Sequence, residues 1–254
     1  MVATPAWPPG GAPRLFVDAE LREGAMVALR DAPAHYLAHV MRLKPGDAVL
    51  LCDDATGEYV ARVEAVAKKE VGLAVERRVR LREALPDLWL AFAPIKAGRI
   101  DWLVEKATEL GAARLLPVVT RRTNMTRVNV ERLRAHAREA AEQCGRTALP
   151  GIAEPAKLND LVASWPAGRR LYFADEMGGT PFADAIAPGP AAILIGPEGG
   201  FDEGERDLIL TLPDARAVSL GPRILRADTA CVAGIAAWMA ASGDWPLAQD
   251  RTRS

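Results

Sequence analysis

Histidine and cysteine are scarce in this chain, with three of each among 254 residues. Cys52, Cys144 and Cys231 stand far apart, which excludes a disulfide framework and paired zinc spacing and fits a reducing compartment. His35 and His39 lie i, i+4 on a candidate helical turn, half of a metal site at most. No third ligand cluster is near them, so packing or solvent contact is expected, with no bound metal. The sequence lacks G-x-S-x-G, H-E-x-x-H and C-x-x-C, which withdraws the usual support for hydrolase and metalloenzyme chemistry. Both common phosphate-binding patterns, G-x-x-x-x-G-K-[ST] and G-x-G-x-x-G, are also missing. Long apolar runs are absent: Thr229 to Ala241 is the longest uncharged apolar stretch, at 13 residues. That falls short of the ~20 needed to span a bilayer, so a soluble, cytoplasmic protein without a membrane partner is expected. Neither sign of charge dominates, since 32 Lys and Arg face 33 Asp and Glu, so any nucleic-acid surface has to be a local patch.

What is present divides into two rhythms. Residues 1–13, with Pro5, Pro8, Pro9, Pro13 and Gly10-Gly11, read as a flexible leader. Residues 14–84 read as short strands separated by turns: Leu15 to Val17, Ala48 to Cys52, Tyr59 to Val63 and Val71 to Val79, with a helical turn over Ala34 to Met41. Such spacing suggests a small barrel or curled sheet. A linker at 85–88 follows. Over 89–243 strands alternate with helices, and 244–254 is a tail. The expected strands are Trp89 to Ala93, Leu115 to Val119, Arg170 to Ala174, Ala191 to Ile195 and Ala217 to Leu220. The expected helices begin near Ile100, Val128, Leu158, Phe182, Asp202 and Thr229. This is the pattern of an α/β unit with a mostly parallel sheet covered on both faces, where ligands bind beyond the carboxyl ends of the strands.

The strand ends carry the chemistry. Ala191 to Ile195 runs directly into Gly196-Pro197-Glu198-Gly199-Gly200, whose glycines let main-chain groups approach a ligand and whose acid disfavours phosphate. A neutral or cationic ligand suits this loop. The strand at Ala217 is followed by Gly221-Pro222-Arg223-Ile224-Leu225-Arg226-Ala227-Asp228, long for a turn, in which Asp228 is placed to cap the last helix. Lys96 and Arg99 stand at the start of an otherwise core-facing helix. Between Arg121 and Arg146 lie seven arginines against three glutamates, a local net charge of +4 and the clearest anion-binding footprint, with Arg77 to Arg82 second. Arginine without lysine favours bidentate phosphate or base contacts over a merely solvated helix face.

Four segments together, Glu105-Lys106-Ala107-Thr108-Glu109-Leu110-Gly111, Glu139-Ala140-Ala141-Glu142-Gln143-Cys144-Gly145-Arg146, Ile195-Gly196-Pro197-Glu198-Gly199-Gly200-Phe201 and Leu220-Gly221-Pro222-Arg223-Ile224-Leu225-Arg226, resemble the RsmE family. That family methylates N3 of a uridine in small-subunit ribosomal RNA and belongs to the SPOUT, trefoil-knotted class. Asp228 stands where the family usually has Glu, and Cys144 where Ser is common. The resemblance implies a PUA-like β-barrel for RNA docking, followed by a knotted, mostly parallel sheet with helices on both faces. It implies S-adenosylmethionine as donor, 16S ribosomal RNA of the small subunit as substrate, and a homodimer formed through the knotted unit. Donor contacts are then expected at Phe173, Ile195, Gly196, Pro197, Gly199, Gly200, Leu220, Gly221, Ile224 and Leu225. Arg226 would stabilise the uracil anion, with Glu198 or Asp228 on the proton path. RNA would be held by Arg14, Lys44, Lys96, Arg99, Arg121, Arg122, Asn124, Arg138, Gln143 and Arg146. The alternatives are a non-enzymatic RNA-binding assembly factor, a nucleotide-dependent transferase or hydrolase, and the same fold acting on another RNA.

Overall fold

The computed structural model describes residues 7–124 and 127–245, so the first six residues of the leader, Met125, Thr126 and nearly all of the tail lie outside the described residues. The chain forms two compact units. Residues up to 84 together with 141–148 make up the first, and 85–140 with 149 onward the second.

The N-terminal unit is a five-stranded sheet. Its elements are β1 (Arg14–Phe16), β2 (Met26–Arg30), α1 (Asp31–His35), β3 (Ala48–Cys52), β4 (Gly57–Val66) and β5 (Glu70–Leu81). A single π-helical turn, Tyr36–Val40, continues α1. The order is β1-β3-β4-β5-β2, with β1 parallel to β3 and the remaining pairs antiparallel. β5 alternates as its sequence predicts, with Val71, Leu73 and Val75 turned to a core that also takes Val49, Leu51 and Leu37. Three register shifts between β4 and β5 curl the sheet, because each bulge adds twist. Glu58 is buried between the guanidinium groups of Arg14 and Arg80. The backbone N–H of Phe16 donates to Glu142 Oε1 at 2.7 Å, and Arg14 donates to the Arg146 carbonyl at 3.2 Å. These bonds explain why 141–148 belong with the first unit.

The elements after residue 84 are β6 (Leu88–Phe92), α2 (Ala97–Glu109), β7 (Arg114–Val119), α3 (Val130–Cys144), β8 (Gly151–Ile152), β9 (Ala156–Lys157), α4 (Leu158–Ala163), β10 (Arg170–Ala174), β11 (Thr180–Pro181), α5 (Phe182–Ala185), β12 (Ala191–Ile195), α6 (Glu203–Leu210), β13 (Ala215–Ser219) and α7 (Ala227–Ala241), of which the end of α3 from residue 141 belongs to the first unit and the rest to the C-terminal one. Every described strand pair in this sheet is parallel, in the order β11-β13-β10-β12-β6-β7-β8. Side chains of β12 alternate between two cores. Ala191, Ile193 and Ile195 join the core that contains Leu103 of α2 and Ile235 of α7, while Ala192 and Leu194 join the one that contains Leu158 of α4 and Ile209 of α6. A strand buried on both faces reads as a continuous apolar run, which is why β10 and β12 are so clear in the sequence. Among the described residues no helix is long and apolar enough to cross a membrane.

The order β13-β10-β12 positions the site. It sets three carboxyl ends side by side, so the segments after Ala174, Ile195 and Ser219 leave from one edge.

Candidate active site

A cleft of about 220 Å³ opens where these three segments meet. Its lining is drawn from all of them, including Asp175 and Glu176 after β10, Gly196 to Glu198 and Gly200 after β12, and Leu220 to Leu225 after β13. Gly196 packs closely on Phe201, since a Cβ there would stand 3.0 Å from the ring and force it to shift by a few tenths of an ångström. Gly200 has φ +67°, and the Glu176 carboxylate lies over the position its Cβ would take. The apolar side is Ile195, Leu220 and Leu225, extended by Ile224, whose side chain is 95% exposed at the rim.

The exposed charges of the cleft are two carboxylates and Arg223, and those beneath are internally compensated. Asp175 is buried and paired with Arg206 at 2.7 Å. Glu176 and Glu198 are exposed. Asp202 caps α6: its Oδ1 accepts the Glu205 N–H at 2.8 Å, and Glu205 returns the bond by accepting the Asp202 N–H at 3.1 Å. These bonds, together with Arg121, hold the Asp202 carboxyl below its ordinary pKa.

Several expected site residues are brought together here. Ile195, Gly196, Pro197, Gly200, Leu220, Gly221, Ile224 and Leu225 line the cleft with Glu198. Arg226 is exposed at the first boundary of α7, between cleft-lining Leu225 and Ala227. Gly199 lies just behind, its carbonyl accepting from Arg122 Nη1. Arg121 reaches Asp202 at 2.9 Å, so the start of the arginine segment abuts the glycine loop, and Asn124 is exposed beside it.

Others are placed differently. Phe173 is fully buried against Phe201, ring centroids 6.3 Å apart, and supports the cleft from the core instead of lining it. Asp228 is not a cap: the N-cap of α7 is Arg226, and the Asp228 carboxylate turns back to Arg99. Arg99 is correspondingly no open cation. Its Nε and Nη2 each donate to an Asp228 oxygen at 2.7 Å, and its Nη1 donates to Glu198 Oε1 at 3.1 Å. Arg14 and Arg146 are largely buried in the N-terminal unit's own network, where Arg14 pairs with Glu58 and Arg146 lies 3.8 Å from Glu83. Lys44 and Gln143 are exposed on that unit, Lys96 is exposed before α2, and Arg138 is half-buried on α3. Glu176 escapes sequence reading; its only signal is its position two residues beyond a strand end. Among the described residues no group of three or more His, Cys, Asp or Glu side chains is arranged to hold a metal ion.

With this fold and cleft the molecule falls in the class of RNA-modifying transferases: residues 82–239 match the RNA methyltransferase domain family and residues 29–76 the RNA methyltransferase PUA domain family. The chain is 28% identical over 229 residues to ribosomal RNA small subunit methyltransferase E of Rickettsia conorii, covering 88% of this chain and 93% of that protein. It is 31% identical over 231 residues to the protein of the same name from Synechocystis, covering 88% and 76%. The crystal structure of a ribosomal RNA small subunit methyltransferase E from Neisseria gonorrhoeae bound to S-adenosyl methionine superposes with a TM-score of 0.83 at 25% identity, over 92% of this chain and 99% of that one. The chain belongs to the ribosomal RNA small subunit methyltransferase E family.

Proposed function

We propose that this protein methylates N3 of a uridine in 16S ribosomal RNA of the small subunit, with S-adenosylmethionine as donor. The observation that carries the reading is the cleft itself: a glycine-backed, apolar-walled recess at three parallel strand ends with two exposed carboxylates at its mouth. Two carboxylates against the single cation Arg223 disfavour phosphate, whereas Ile195, Leu220 and Leu225 would hold an adenine and Glu176 and Glu198 would favour a sulfonium. The donor, when bound, supplies an electrophilic methyl group.

The chain's own residues then do the rest. Gly196 to Gly200 and Leu220 to Leu225 orient the donor, and orientation carries much of the rate of an in-line displacement. N3 of uracil bears a proton that has to leave as the new N–C bond forms. Glu198 receives it, and Arg226 stabilises the negative charge that develops on the pyrimidine. Arg121, Arg122 and Asn124 hold the RNA beside the glycine loop. The knotted threading of the C-terminal unit, pairing of two copies through it, RNA docking by the N-terminal unit and a cytoplasmic location belong to the same reading, and the family likeness supports them.

Calorimetric titration of the purified protein with S-adenosylmethionine tests it. Saturable one-site binding is expected; no heat at millimolar donor would return the molecule to an RNA-binding assembly factor.

A further inference from the structure

Three charged side chains meet beside the cleft from segments 99 and 129 positions apart, and of the three Glu198 alone lines it. Arg99 comes from the first turn of α2, Glu198 from the loop after β12 and Asp228 from the first turn of α7. We infer that Arg99 is a positioning residue that acts through Glu198, fixing that carboxylate at the mouth of the cleft, while Asp228 orients Arg99 and takes no proton. This rests on the methyl-transfer reading above.

The hydrogen bonds assign the parts. Both Asp228 oxygens take the Arg99 fork, and Oδ1 also accepts the Thr229 N–H at 2.8 Å. An aspartate with three charge-assisted or main-chain donors on it, two of them from one arginine, is a weaker base than a carboxylate holding a single bond. Glu198 keeps only the one bond from Arg99 Nη1, and its Oε2 accepts none among the described residues. Glu198 sits between Pro197 and Gly199 on a loop whose glycines impose little restraint, and its side chain is 55% exposed. Left alone it would sample many rotamers. The Arg99 guanidinium, planar and itself locked by the bidentate pair, removes that freedom. Stability is a weak explanation for the Arg99–Glu198 contact, because an exposed pair of this kind contributes little to folding.

The test is a double-mutant cycle on Arg99→Ala and Glu198→Gln, with methyl transfer to small subunits and donor affinity measured in parallel. Each single variant is expected to lower kcat by about 100-fold. Donor Kd should stay within about threefold of wild type, and the double variant should fall no more than about threefold below the weaker single. Arg99→Lys keeps the charge without the fork, and should give an intermediate loss that Glu198→Gln again masks. Asp228→Glu, which preserves a carboxylate for the fork, should retain activity within about tenfold. Losses that multiply in the double variant, an unchanged kcat in Arg99→Ala, or a loss confined to donor affinity would each overturn the inference while leaving the reading intact. A wild-type protein that transfers no methyl group would overturn both.

Discussion

Arg122 Nη1 donates to the main-chain carbonyl of Gly199 at 2.5 Å, so the arginine segment after β7 rests on the glycine loop after β12. RNA held by Arg121 and Arg122, as proposed, would lie beside this loop. Replacing both by alanine is expected to weaken RNA binding and to flatten the log–log salt dependence by about 0.7 for each single-strand phosphate that the protein no longer neutralises. Filter binding over a salt series measures the slope; an unchanged slope would assign these side chains to structural roles.

Ile224 is an apolar side chain held 95% exposed at the rim of the cleft. Donor binding should cover part of it. Ile224→Ser is therefore expected to weaken donor affinity by about 5- to 10-fold, from partial loss of the ~1.5–3 kcal/mol that full burial of such a side chain is worth. The Tm of the donor-free protein should be unchanged. Calorimetry with wild-type affinity would place Ile224 outside the donor's footprint.

Arg226→Ala should reduce kcat by about 100- to 1000-fold, the usual cost of removing one group that stabilises developing negative charge. Donor affinity should remain within about threefold. Single-turnover transfer at saturating donor separates the two effects, and full activity would end the anion-stabilising role.

How much of the molecule is legible in its sequence follows from where the determining forces lie. β10 and β12 are legible to the residue because burial on both faces writes an apolar run, unbroken in β12 and preceded only by Arg170 in β10. β2 is not: Met-Val-Ala-Leu-Arg buries only Val27 and Leu29, and the exposed but apolar Met26 and Ala28 mask the alternation. The glycine loop is visible because its composition is itself the constraint. The role of Asp228 is hidden, since a cap and an ion-pair partner look alike until Arg99 is brought to it from 129 positions away. Arg14 and Arg146 resemble cations for RNA for the same reason: charge is legible in a sequence, but its burial beside Glu58 and Glu83 is not.

The Asp228 carboxyl is held below the ordinary carboxylate range, chiefly by the Arg99 hydrogen bonds. A depressed folded-state pKa contributes stability that is complete above the unfolded value, near 3.9, and is lost as pH falls through the folded one. The Tm gap between wild type and Asp228→Asn should accordingly be constant from pH 8 to about pH 5 and close below about pH 4. A gap that narrows between pH 6 and 8 would reveal a proton acceptor in the working range.

The central claim is that a methyl group passes from a sulfonium donor in the strand-end cleft to a pyrimidine nitrogen. Small subunits from a strain lacking the activity, incubated with protein and methyl-labelled S-adenosylmethionine, should gain one methyl group per subunit, and nucleoside mass spectrometry should find it on N3 of a single uridine. Label on any other atom or base, or no label at all, would contradict the account.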